Sequence, residues 1–587
     1  MLRTHTCGEL TAKNAGKTTT LCGWVHRRRD HGGLIFVDLR DRYGFTQIVF
    51  DPKNKQVFSQ AEKIRPEWVL KITGAVRKRV EGAERKENPT GEIEILVEKL
   101  EILNESKTPP FEIDQEKDVG EDVRLQYRYL DLRRERMSRN MVLRHRLLQA
   151  TRRFFYDRGF IEVETPILIK GTPEGAREYI VPSRLFHGLF YVLPQSPQQL
   201  KQLSMVAGLD RYMQIARCFR DEDLRGDRQP EFTQMDLEMS FATAEDVMQV
   251  NEEALIAITK ELKPDVKIQA IPFPRFSWQE AMEKYGSDKP DLRFGLAFTP
   301  VTDLCDGCGF SVFADTVARK GIVQALRMPG AAFFSRKEID DLTESAKIYG
   351  AKGLAWIKRV KGKYEGVPVS KLGDDLTEKI GQRLGMQDGD IAFFTADTFE
   401  VACVSLGAVR NEIARKLKLI PGNVFAFCWV TDFPMFEIEK ETKQIAAMHH
   451  PFTRPKDQDR ARLKTDPLSV KAEAYDIVLN GYEIGGGSVR IHERELQKEI
   501  FDILKISDED AERRFGHILK AFQYGAPPHG GIAWGLDRIA MLFAGEPNIR
   551  EVIAFPKDQK GKDLLLAAPS VVPDAQLREL GIRVAEE

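Results

Sequence analysis

Hydrophobic and polar residues alternate along the first hundred positions of the chain. Five segments have the two-residue period of half-buried β-strands, and Gly, Pro and Asn turns separate them. The segments are LCGWVHRR, LIFVDLRD, TQIVFDP, WVLKITGAVRKR and EIEILVEKLEIL. One helical patch interrupts them at about residues 55–65. Strands and a helix of this size predict a small closed β-barrel over residues 1–105.

The pattern changes beyond the barrel. Residues 106–138 contain paired prolines and a run of charges, which indicates a hinge or linker. A helical spacing then begins near Asn140, with apolar residues at Leu143, Leu147, Ala150 and Phe154. Gly159 ends this helix, and FIEVETPIL is typical of a strand.

Residues 290–420 differ again from their neighbours. They contain a helical piece, FSRKEIDDLTESAKIYG, and short strands such as GLAWIKRV and DIAFFTAD. They lack the clusters of charged residues that occur on either side. We therefore predict an inserted α+β domain here.

The composition is that of an ordinary globular protein, with 42% hydrophobic and 30% charged residues. No apolar run approaches the ~18 residues that a membrane span requires. The N-terminus, MLRTHTCGEL, lacks the pattern of a signal peptide. We expect a cytoplasmic protein with no membrane partner.

The seven cysteines are scattered and odd in number, so no disulfide framework is predicted. Cys305 and Cys308 form a CxxC pair that invites a zinc interpretation. A structural zinc site needs four ligands, and no second pair lies at a useful distance. Two small buried thiols beside a turn are the preferred interpretation.

The charge is unevenly distributed. Residues 1–100 hold 19 Lys and Arg against 13 Asp and Glu, although the whole chain has a net charge of −1. The arginine run Arg27–Arg29 precedes an aromatic residue, Phe36, and then Gln47. Basic residues beside an aromatic platform suit single-stranded nucleic acid, so the barrel is predicted to be of the OB type.

Four short segments far apart in the sequence carry candidate chemistry. They are FRDEDLRGDRQPEFTQMD, AMHHPF, YEIGGGSVR and GGIAWGLDR. Together they resemble the class II aminoacyl-tRNA synthetases, and among these the bacterial type of aspartyl-tRNA synthetase. The resemblance covers essentially the whole chain.

Three motifs of that family match in the expected order. They are GFIEVETP (159–166), FRDE with EFTQMD (219–236) and GGIAWGLDR (530–538). Three further segments resemble signatures of the aspartate enzymes, namely TPEGARE (172–178), QSPQQLK (195–201) and GSDKPDLRF (286–294). One departure is Glu178, where the family pattern has Asp. The first motif implies a homodimer.

The resemblance implies a reaction in which an amino-acid carboxylate attacks the α-phosphate of ATP. Cations must then stand where negative charge develops, and Arg suits this because its planar fork bonds two oxygens. Arg220 and Arg538 are the implied catalytic residues. The implied ATP contacts are Arg220, Asp221, Glu222, Gln229, Phe232, Glu483, Gly535, Leu536, Asp537 and Arg538. Asp476 and Glu483 are the implied Mg²⁺ ligands.

An aspartate substrate requires fixed cations for its side chain and acceptors for its α-ammonium group. Alternation along EIGGGSVR places Ser488, Arg490 and His492 on one face. The implied aspartate contacts are Glu174, Ser196, Gln198, Lys201, Arg220, Asp236, His449 and Arg490, with His450 as the alternative to His449.

The implied fold is α+β and multidomain. An N-terminal OB-type barrel (1–105) binds the anticodon and a hinge (106–138) follows. A class II antiparallel sheet flanked by helices (139–289 and 421–557) is interrupted by the insertion (290–420), and residues 558–587 form a C-terminal extension.

The predicted function is an aspartate–tRNA ligase that forms aspartyl-adenylate and then charges tRNA(Asp). The implied anticodon contacts are Arg29, His31, Phe36, Gln47 and Gly82. His31 and Gly82 lie in loops of the barrel where a bulkier apolar residue would reject the wrong anticodon base. With a smaller, more polar rim at these two positions, charging of tRNA(Asn) as well as tRNA(Asp) is favoured. Strict tRNA(Asp) specificity is the alternative. Two other functions stay open: an asparagine synthetase that uses ammonia, and a nucleic-acid-binding regulator without catalysis.

Overall fold

The computed structural model describes residues 1–113, 115, 118–171, 176–439 and 442–585. The chain divides into two compact units. The first consists of Met1–His145, Leu224–Gln229 and Ala544–Val572; the second consists of Arg146–Asp223, Pro230–Phe543 and Pro573–Glu587. The loop of the second motif and the segment after the third motif thus group with the N-terminal unit.

The first unit contains a closed five-stranded barrel. Its strands are β1 (Thr18–His31), β2 (Leu34–Asp41), β3 (Gly44–Phe50), β4 (Val69–Lys78) and β5 (Ile93–Asn104). They are ordered β1-β2-β3-β5-β4, and helix α1 (Lys55–Ala61) lies between β3 and β4 in sequence. Alternate residues such as Leu21, Val37 and Ile72 fill the interior. The predicted barrel is confirmed.

Two short helices follow the barrel, α2 (Glu121–Gln126) and α3 (Arg128–Asp131). Arg124 donates hydrogen bonds to Asp131 at 3.0 Å and to Glu551 at 2.6 Å. Arg128, which is buried, donates to Asp131 at 2.7 Å. This ion network joins two segments of the first unit that are more than 400 residues apart in sequence.

The second unit is built on an eight-stranded sheet. The strands in the rest of the chain are β6 (Ile161–Glu162), β7 (Ile180–Pro182), β8 (Phe190–Val192), β9 (Arg211–Phe219), β10 (Glu231–Ser240), β11 (Lys267–Ile268), β12 (Arg275–Ser277), β13 (Thr299–Pro300), β14 (Ile322–Met328), β15 (Ala355–Val360), β16 (Lys363–Glu365), β17 (Ile391–Asp397), β18 (Val424–Phe425), β19 (Phe427–Thr431), β20 (Phe436–Ile438), β21 (Ile445–Ala447), β22 (Ala474–Leu479), β23 (Tyr482–Val489) and β24 (His529–Gly535). The eight are ordered β12-β19-β22-β23-β24-β10-β9-β6. The six central strands are antiparallel, and each edge strand is parallel to its neighbour. The predicted antiparallel class II sheet is confirmed.

The remaining α-helices of the described residues include some that pack on this sheet and some that pack on the inserted one. They are α4 (Glu135–Tyr156), α5 (Gln198–Val206), α6 (Ala244–Leu262), α7 (Trp278–Tyr285), α8 (Ser311–Ala318), α9 (Arg336–Ile348), α10 (Val369–Leu372), α11 (Asp374–Arg383), α12 (Phe399–Lys416), α13 (Arg494–Ile503), α14 (Asp508–Ala521), α15 (Leu536–Ala544) and α16 (Asp574–Glu579). Helix α6 begins with a capping box in which Thr243 and Asp246 bond each other's backbone N–H groups. Across all the residues with described positions, no helix has the length and apolarity to span a membrane.

The inserted region has its own sheet, ordered β13-β14-β17-β15-β16. Neighbouring residues of β17 enter separate cores: Phe393 packs with α9 and α12, while Phe394 packs with α8 and α11. Cys305 is buried in the second core, and burial raises its thiol pKa to about 12. Within the described ranges no group of three metal-binding side chains occurs.

Glycines let charged side chains lie against the central strands. On β24, Gly531 pairs with Glu238 of β10. A Cβ at Gly531 would come within 2.0 Å of Glu238 Oε2 and 2.1 Å of the Leu237 carbonyl oxygen. The missing side chain therefore provides the space that the Glu238 carboxylate occupies.

Replacing Gly531 with Ala should lower the free energy of unfolding by about 1–3 kcal/mol, because the backbone contact at Leu237 cannot relax as a flexible side chain would. Thermal or urea unfolding measures this. Gly353→Ala is the matched control, since a Cβ there meets no atom within 4 Å. Equal losses in the two variants would contradict the role of Gly531.

Candidate active site

Four charged side chains form a buried cluster on the central sheet. Asp236 and Glu238 lie two positions apart on β10 and so share one face of the strand. Lys201 of α5 donates to Asp236 Oδ1 at 3.0 Å and lies 3.4 Å from Glu238 Oε2. Arg490, just after β23, donates from Nε to Glu238 Oε1 at 2.9 Å. All four residues are at most 2% exposed.

The other end of Arg490 is also engaged. Its Nη1 donates to Ser488 Oγ at 2.7 Å and to His450 Nε2 at 2.8 Å. His450 accepts this bond with an unprotonated nitrogen. Its pKa lies well below the ordinary value because of burial and the adjacent Arg490 charge. Ser488 and Arg490 were predicted to share one face of the strand. The histidine that Arg490 contacts there is His450 and not His449.

The two carboxylates of the cluster have opposite pKa shifts. Burial raises the pKa of Asp236 and outweighs the charge of Lys201. Burial acts on Glu238 too, but there the charges of Arg490 and Lys201 prevail and hold the pKa below its ordinary value. Among the described residues, Asp236 Oδ2 is buried without a hydrogen-bond partner. Glu238 is therefore firmly ionised, while one oxygen of Asp236 has unused bonding capacity.

A second acidic group lies on neighbouring strands of the sheet. A Cβ on Gly486 would come within 2.7 Å of Asp476 Oδ1 and 3.8 Å of Glu483 Oε1, so both carboxylates lie over this glycine. Burial raises the pKa of Asp476 well above its ordinary value, and the negative charges of Glu483 and Asp288 add to the effect. Neighbouring carboxylate oxygens whose negative charge Lys289 offsets only in part fit a Mg²⁺ ion.

The two predicted catalytic arginines stand on different elements. Arg220 follows β9, and its guanidinium lies 5.1 Å from the ring centroid of Phe232 on the paired strand β10. Arg538 is in the first turn of α15 and donates from Nη1 to the backbone carbonyl of Glu483. Arg538 is thereby held beside a predicted metal ligand.

Several predicted ATP contacts have side chains that serve the fold. Leu536 is 1% exposed in the core, and Asp537 accepts the Thr233 N–H at 2.8 Å. The amide of Gln229 bonds the backbone of Lys557 at both ends, at 3.1 and 2.8 Å, within the first unit. A direct ATP contact from these three residues would have to use backbone groups or a rearranged side chain.

The remaining predicted contacts lie on several different elements. Ser196 Oγ accepts the Gln198 N–H at 3.2 Å at the start of α5. Asp221 and Glu222 follow Arg220 directly, and Gly535 ends β24. Glu174 lies outside the described residues. His449 is exposed, with its ring 4.9 Å edge-on to Phe433.

The barrel carries the second candidate site, on its outer surface. Arg29 and Phe36 are cross-strand partners on β1 and β2, and Phe36 is half-buried while its neighbours Ile35 and Val37 belong to the core. Arg29 donates to Asp38 at 3.1 Å and lies 3.4 Å from Gln47 Oε1. An aromatic ring and a cation thus share one face.

His31 and Gly82, the two predicted rim positions of the barrel, are both exposed. His31 ends β1, next to a hairpin turn of two glycines with positive φ. Gly82 has φ +84°, and no atom would lie within 4 Å of a Cβ there. Its backbone conformation is by itself a sufficient reason for glycine.

Sequence reasoning missed Glu238 and Asp288. Glu238 could have been found from EFTQMDLEMS, because the two-residue period that exposes Asp236 to the pocket places Glu238 beside it. Asp288 lies in the segment GSDKPDLRF that the sequence had singled out, but no spacing in the sequence placed it beside Asp476. It comes from a loop 188 residues before Asp476 in sequence, and only the fold brings the two charges together.

Comparison with known proteins agrees with this geometry. The family described as tRNA synthetases class II (D, K and N) matches residues 120–559, and that described as OB-fold nucleic acid binding domain matches residues 19–103. A Moorella thermoacetica protein named Aspartate--tRNA(Asp/Asn) ligase is 53% identical over 99% of this chain and 96% of its own. A Lysinibacillus sphaericus protein named Aspartate--tRNA ligase is 51% identical over 99% of both.

Among solved structures, asparaginyl-tRNA synthetase from Pyrococcus horikoshii, complexed with asparaginyl-adenylate, has a similar fold. The TM-score is 0.59 at 20% identity, covering 95% of this chain and 98% of that one.

The chain belongs to the class II tRNA synthetases. Within that class it matches the branch that comprises the aspartate, lysine and asparagine enzymes. The prediction of an ATP-dependent aminoacyl-tRNA ligase is confirmed.

A buried neutral histidine beside the cluster predicts a pH dependence of stability. His529 Nδ1 donates to the Pro527 carbonyl at 2.7 Å, and Nε2 accepts from the Gln202 amide at 3.1 Å. Burial lowers its pKa. In the unfolded chain His529 binds a proton near pH 6.5, whereas the folded protein keeps the ring neutral. The contribution of neutral His529 to the free energy of unfolding is therefore present above about pH 6.5 and is lost as the pH falls below it.

The unfolding temperature should therefore fall from pH 7.5 to 5.5, with each such histidine contributing up to about 1.4 kcal/mol per pH unit. His529→Gln should make the decline shallower. His145→Gln, at an exposed position, serves as control. Parallel declines in all three proteins would reject the assignment.

Proposed function

We propose that this protein activates L-aspartate with ATP and transfers the aspartyl group to tRNA(Asp) and tRNA(Asn). The observation that carries the proposal is the buried cluster of Lys201, Arg490, Glu238 and Asp236, with one oxygen of Asp236 unpartnered among the described residues. The full-length similarity to proteins named as aspartate–tRNA ligases supports it.

The charge balance of the cluster suits aspartate. Lys201 and Arg490 supply two positive charges, which the carboxylates of Asp236 and Glu238 balance within the cluster. When Asp236 Oδ2 accepts from the α-ammonium group of the substrate, one of the two positive charges can pair with the side-chain carboxylate of the substrate. A lysine side chain would be repelled, and asparagine would leave a buried positive charge unpaired.

The triphosphate would lie between the two arginines. We infer that Arg220 bonds the α-phosphate and the attacking carboxylate, because one guanidinium fork can bond both oxygens as charge develops. Arg220 lies over one face of the Phe232 ring, and adenine would stack on the opposite face. Arg538 would bind the far end of the triphosphate, and Glu222 and the backbone at Gly535 complete the set.

Asp476 and Glu483 would hold Mg²⁺, which neutralises triphosphate charge when bound. The carboxylates over Gly486 and the raised pKa of Asp476 support this assignment. ATP–pyrophosphate exchange that continued unchanged in excess EDTA would reject it.

We also propose a homodimer in the cytoplasm. The segment around the first motif exposes large apolar residues, including Ile161, Leu185 and Leu189, at 48%, 73% and 62%. Large exposed apolar side chains are typical of a protein interface. All seven cysteines are free thiols, which suits a reducing compartment. Sedimentation that found only monomers at micromolar concentration would reject the dimer.

Replacing Asp236 with Asn should raise the KM for aspartate in ATP–pyrophosphate exchange at least a hundredfold, about 2.7 kcal/mol, with little change in the KM for ATP. The Lys201 contact to Oδ1 can persist, so the protein should stay folded. Arg538→Ala should instead impair the use of ATP. Asp340→Asn, at an exposed position of α9, is the control.

If Asp236→Asn changed the KM of both substrates equally, Asp236 would have no special role in amino-acid binding. Supplying ammonia instead of tRNA tests the alternative reaction. Asparagine formation at a rate comparable to tRNA charging would favour an asparagine synthetase.

The range of tRNA substrates rests on the barrel. His31 is polar and Gly82 has no side chain, so neither position carries a bulky apolar group that would reject one anticodon base. The positive φ of Gly82 is a separate reason for a glycine at this position. The proposal that both tRNAs are charged therefore rests mainly on His31.

Purified transcripts of tRNA(Asp) and tRNA(Asn) should be charged at rates within about tenfold of each other, a difference of 1.4 kcal/mol or less. Phe36→Ala should weaken charging of both by about 1–3 kcal/mol without affecting pyrophosphate exchange. A hundredfold preference for tRNA(Asp) would establish strict specificity instead.

A further inference from the structure

A hydrogen-bonded relay of three buried side chains, His529, Gln202 and Gln198, connects the start of β24 with the first turn of α5. His529 Nδ1 lies 2.7 Å from the Pro527 carbonyl oxygen, and its Nε2 lies 3.1 Å from Gln202 Nε2. Gln202 Oε1 lies 3.2 Å from Gln198 Nε2. His529 and Gln202 are 0% exposed and Gln198 is 6% exposed. Protein atoms and not solvent therefore decide which group donates in each bond.

The carbonyl of Pro527 fixes the direction of every bond in the relay. A carbonyl oxygen can only accept, so His529 Nδ1 donates to it, and in the neutral ring Nε2 must then accept. The group of Gln202 that faces Nε2 is therefore its NH2, which leaves the Gln202 oxygen to face Gln198. Gln198 donates to that oxygen with its own NH2, and its amide oxygen is turned away from Gln202.

The surroundings of His529 keep its ring neutral. Burial lowers its pKa and outweighs the negative charge of Glu238 and the bond to Pro527, which both raise it. Arg490 and His492 add to the lowering. A neutral ring with a proton on Nδ1 is the form that the relay requires.

The relay is built on the same elements as the charged cluster. Gln198 and Lys201 are three residues apart on α5, so their side chains share one face of the helix. Lys201 Nζ donates to Asp236 Oδ1 at 3.0 Å, and the backbone carbonyl of His529 accepts the Arg490 N–H at 2.9 Å. Gln198 thus stands beside the residues that would hold the amino acid.

We propose that His529 and Gln202 are positioning residues for amino-acid activation, which hold the Gln198 amide with its oxygen toward the α-ammonium group of the substrate. This inference rests on the proposed function, in which Gln198 contacts aspartate, and adds the two residues that set the direction of that contact. In the opposite orientation the Gln198 NH2 would face the ammonium group, and two donors would meet without an acceptor.

ATP–pyrophosphate exchange tests the relay with two substitutions of Gln202. Gln202→Met removes the acceptor for Gln198 and should raise the KM for aspartate about tenfold, with kcat and the KM for ATP within about twofold of the wild type. Gln202→Glu keeps an acceptor for Gln198 and can accept from a protonated His529, so the KM for aspartate should stay near its wild-type value. A role in packing alone predicts the reverse order, because methionine suits a buried position better than a carboxylate does.

Succinate separates this contact from the rest of the pocket, because it has the two carboxylates of aspartate but no ammonium group. As a competitive inhibitor it should bind Gln202→Met as tightly as it binds the wild type. Gln324→Met, which removes a buried glutamine from β14 of the inserted domain, is the matched control and should change neither constant. Thermal unfolding establishes that each variant is folded. If the buried charge prevents Gln202→Glu from folding, the comparison of aspartate with succinate in Gln202→Met decides the matter.

The outcomes separate the relay from the proposed function. An unchanged KM for aspartate in Gln202→Met, with normal exchange by the wild type, would overturn the relay and leave the proposed function standing. Equal weakening of aspartate and succinate would also overturn the relay, since the loss would then belong to the whole pocket. Exchange by the wild type that does not depend on aspartate would overturn the proposed function and the relay with it.

Discussion

The buried pairing of Arg490 with Glu238 is the interaction on which the site depends. Two charges in a dry interior are tolerated only when their hydrogen bonds are satisfied, and the bonds at 2.9 and 3.2 Å meet that condition. Gly531 provides the space for the carboxylate, and Ser488 and His450 fix the other end of the guanidinium. The positive charge offered to a substrate is therefore held rigidly, with little reorganisation needed on binding.

Strand pairing determines which strands of the sheet carry each group of charged residues. The neighbouring strands β22 and β23 carry the acidic group of Asp476 and Glu483, whereas β10 and the residues after β23 carry the cluster around Arg490. A site for a metal and a site for an amino acid thus lie on the same rigid framework. Glycines on β23 and β24 allow both, because larger residues would occupy the space of the carboxylates.

The charged residues of the barrel differ from those of the sheet in being paired at its surface. Its arginines are largely paired on its own surface: Arg29 and Arg85 with Asp38, and Arg77 with Glu94. These ion pairs hold the arginines in place but leave the net positive charge of the first hundred positions unchanged. Stacking on a half-buried ring such as Phe36 adds to the electrostatic attraction, and stacking does not fall off with salt as phosphate contacts do.

The sequence by itself determined the barrel, the antiparallel sheet and the class of enzyme, because strand periodicity and short motifs are local properties of the chain. It also indicated Arg220, Arg490, Asp236 and Asp476 as site residues, whose individual roles stay predictions. Only the tertiary structure decided their partners. Glu238 and Asp288 reach the site through strand pairing and a distant loop, and Gln229 and Asp537 proved to be bonded to the backbone. Hydrogen bonds and buried charges depend on which segments meet, and spacing along one chain does not contain that information.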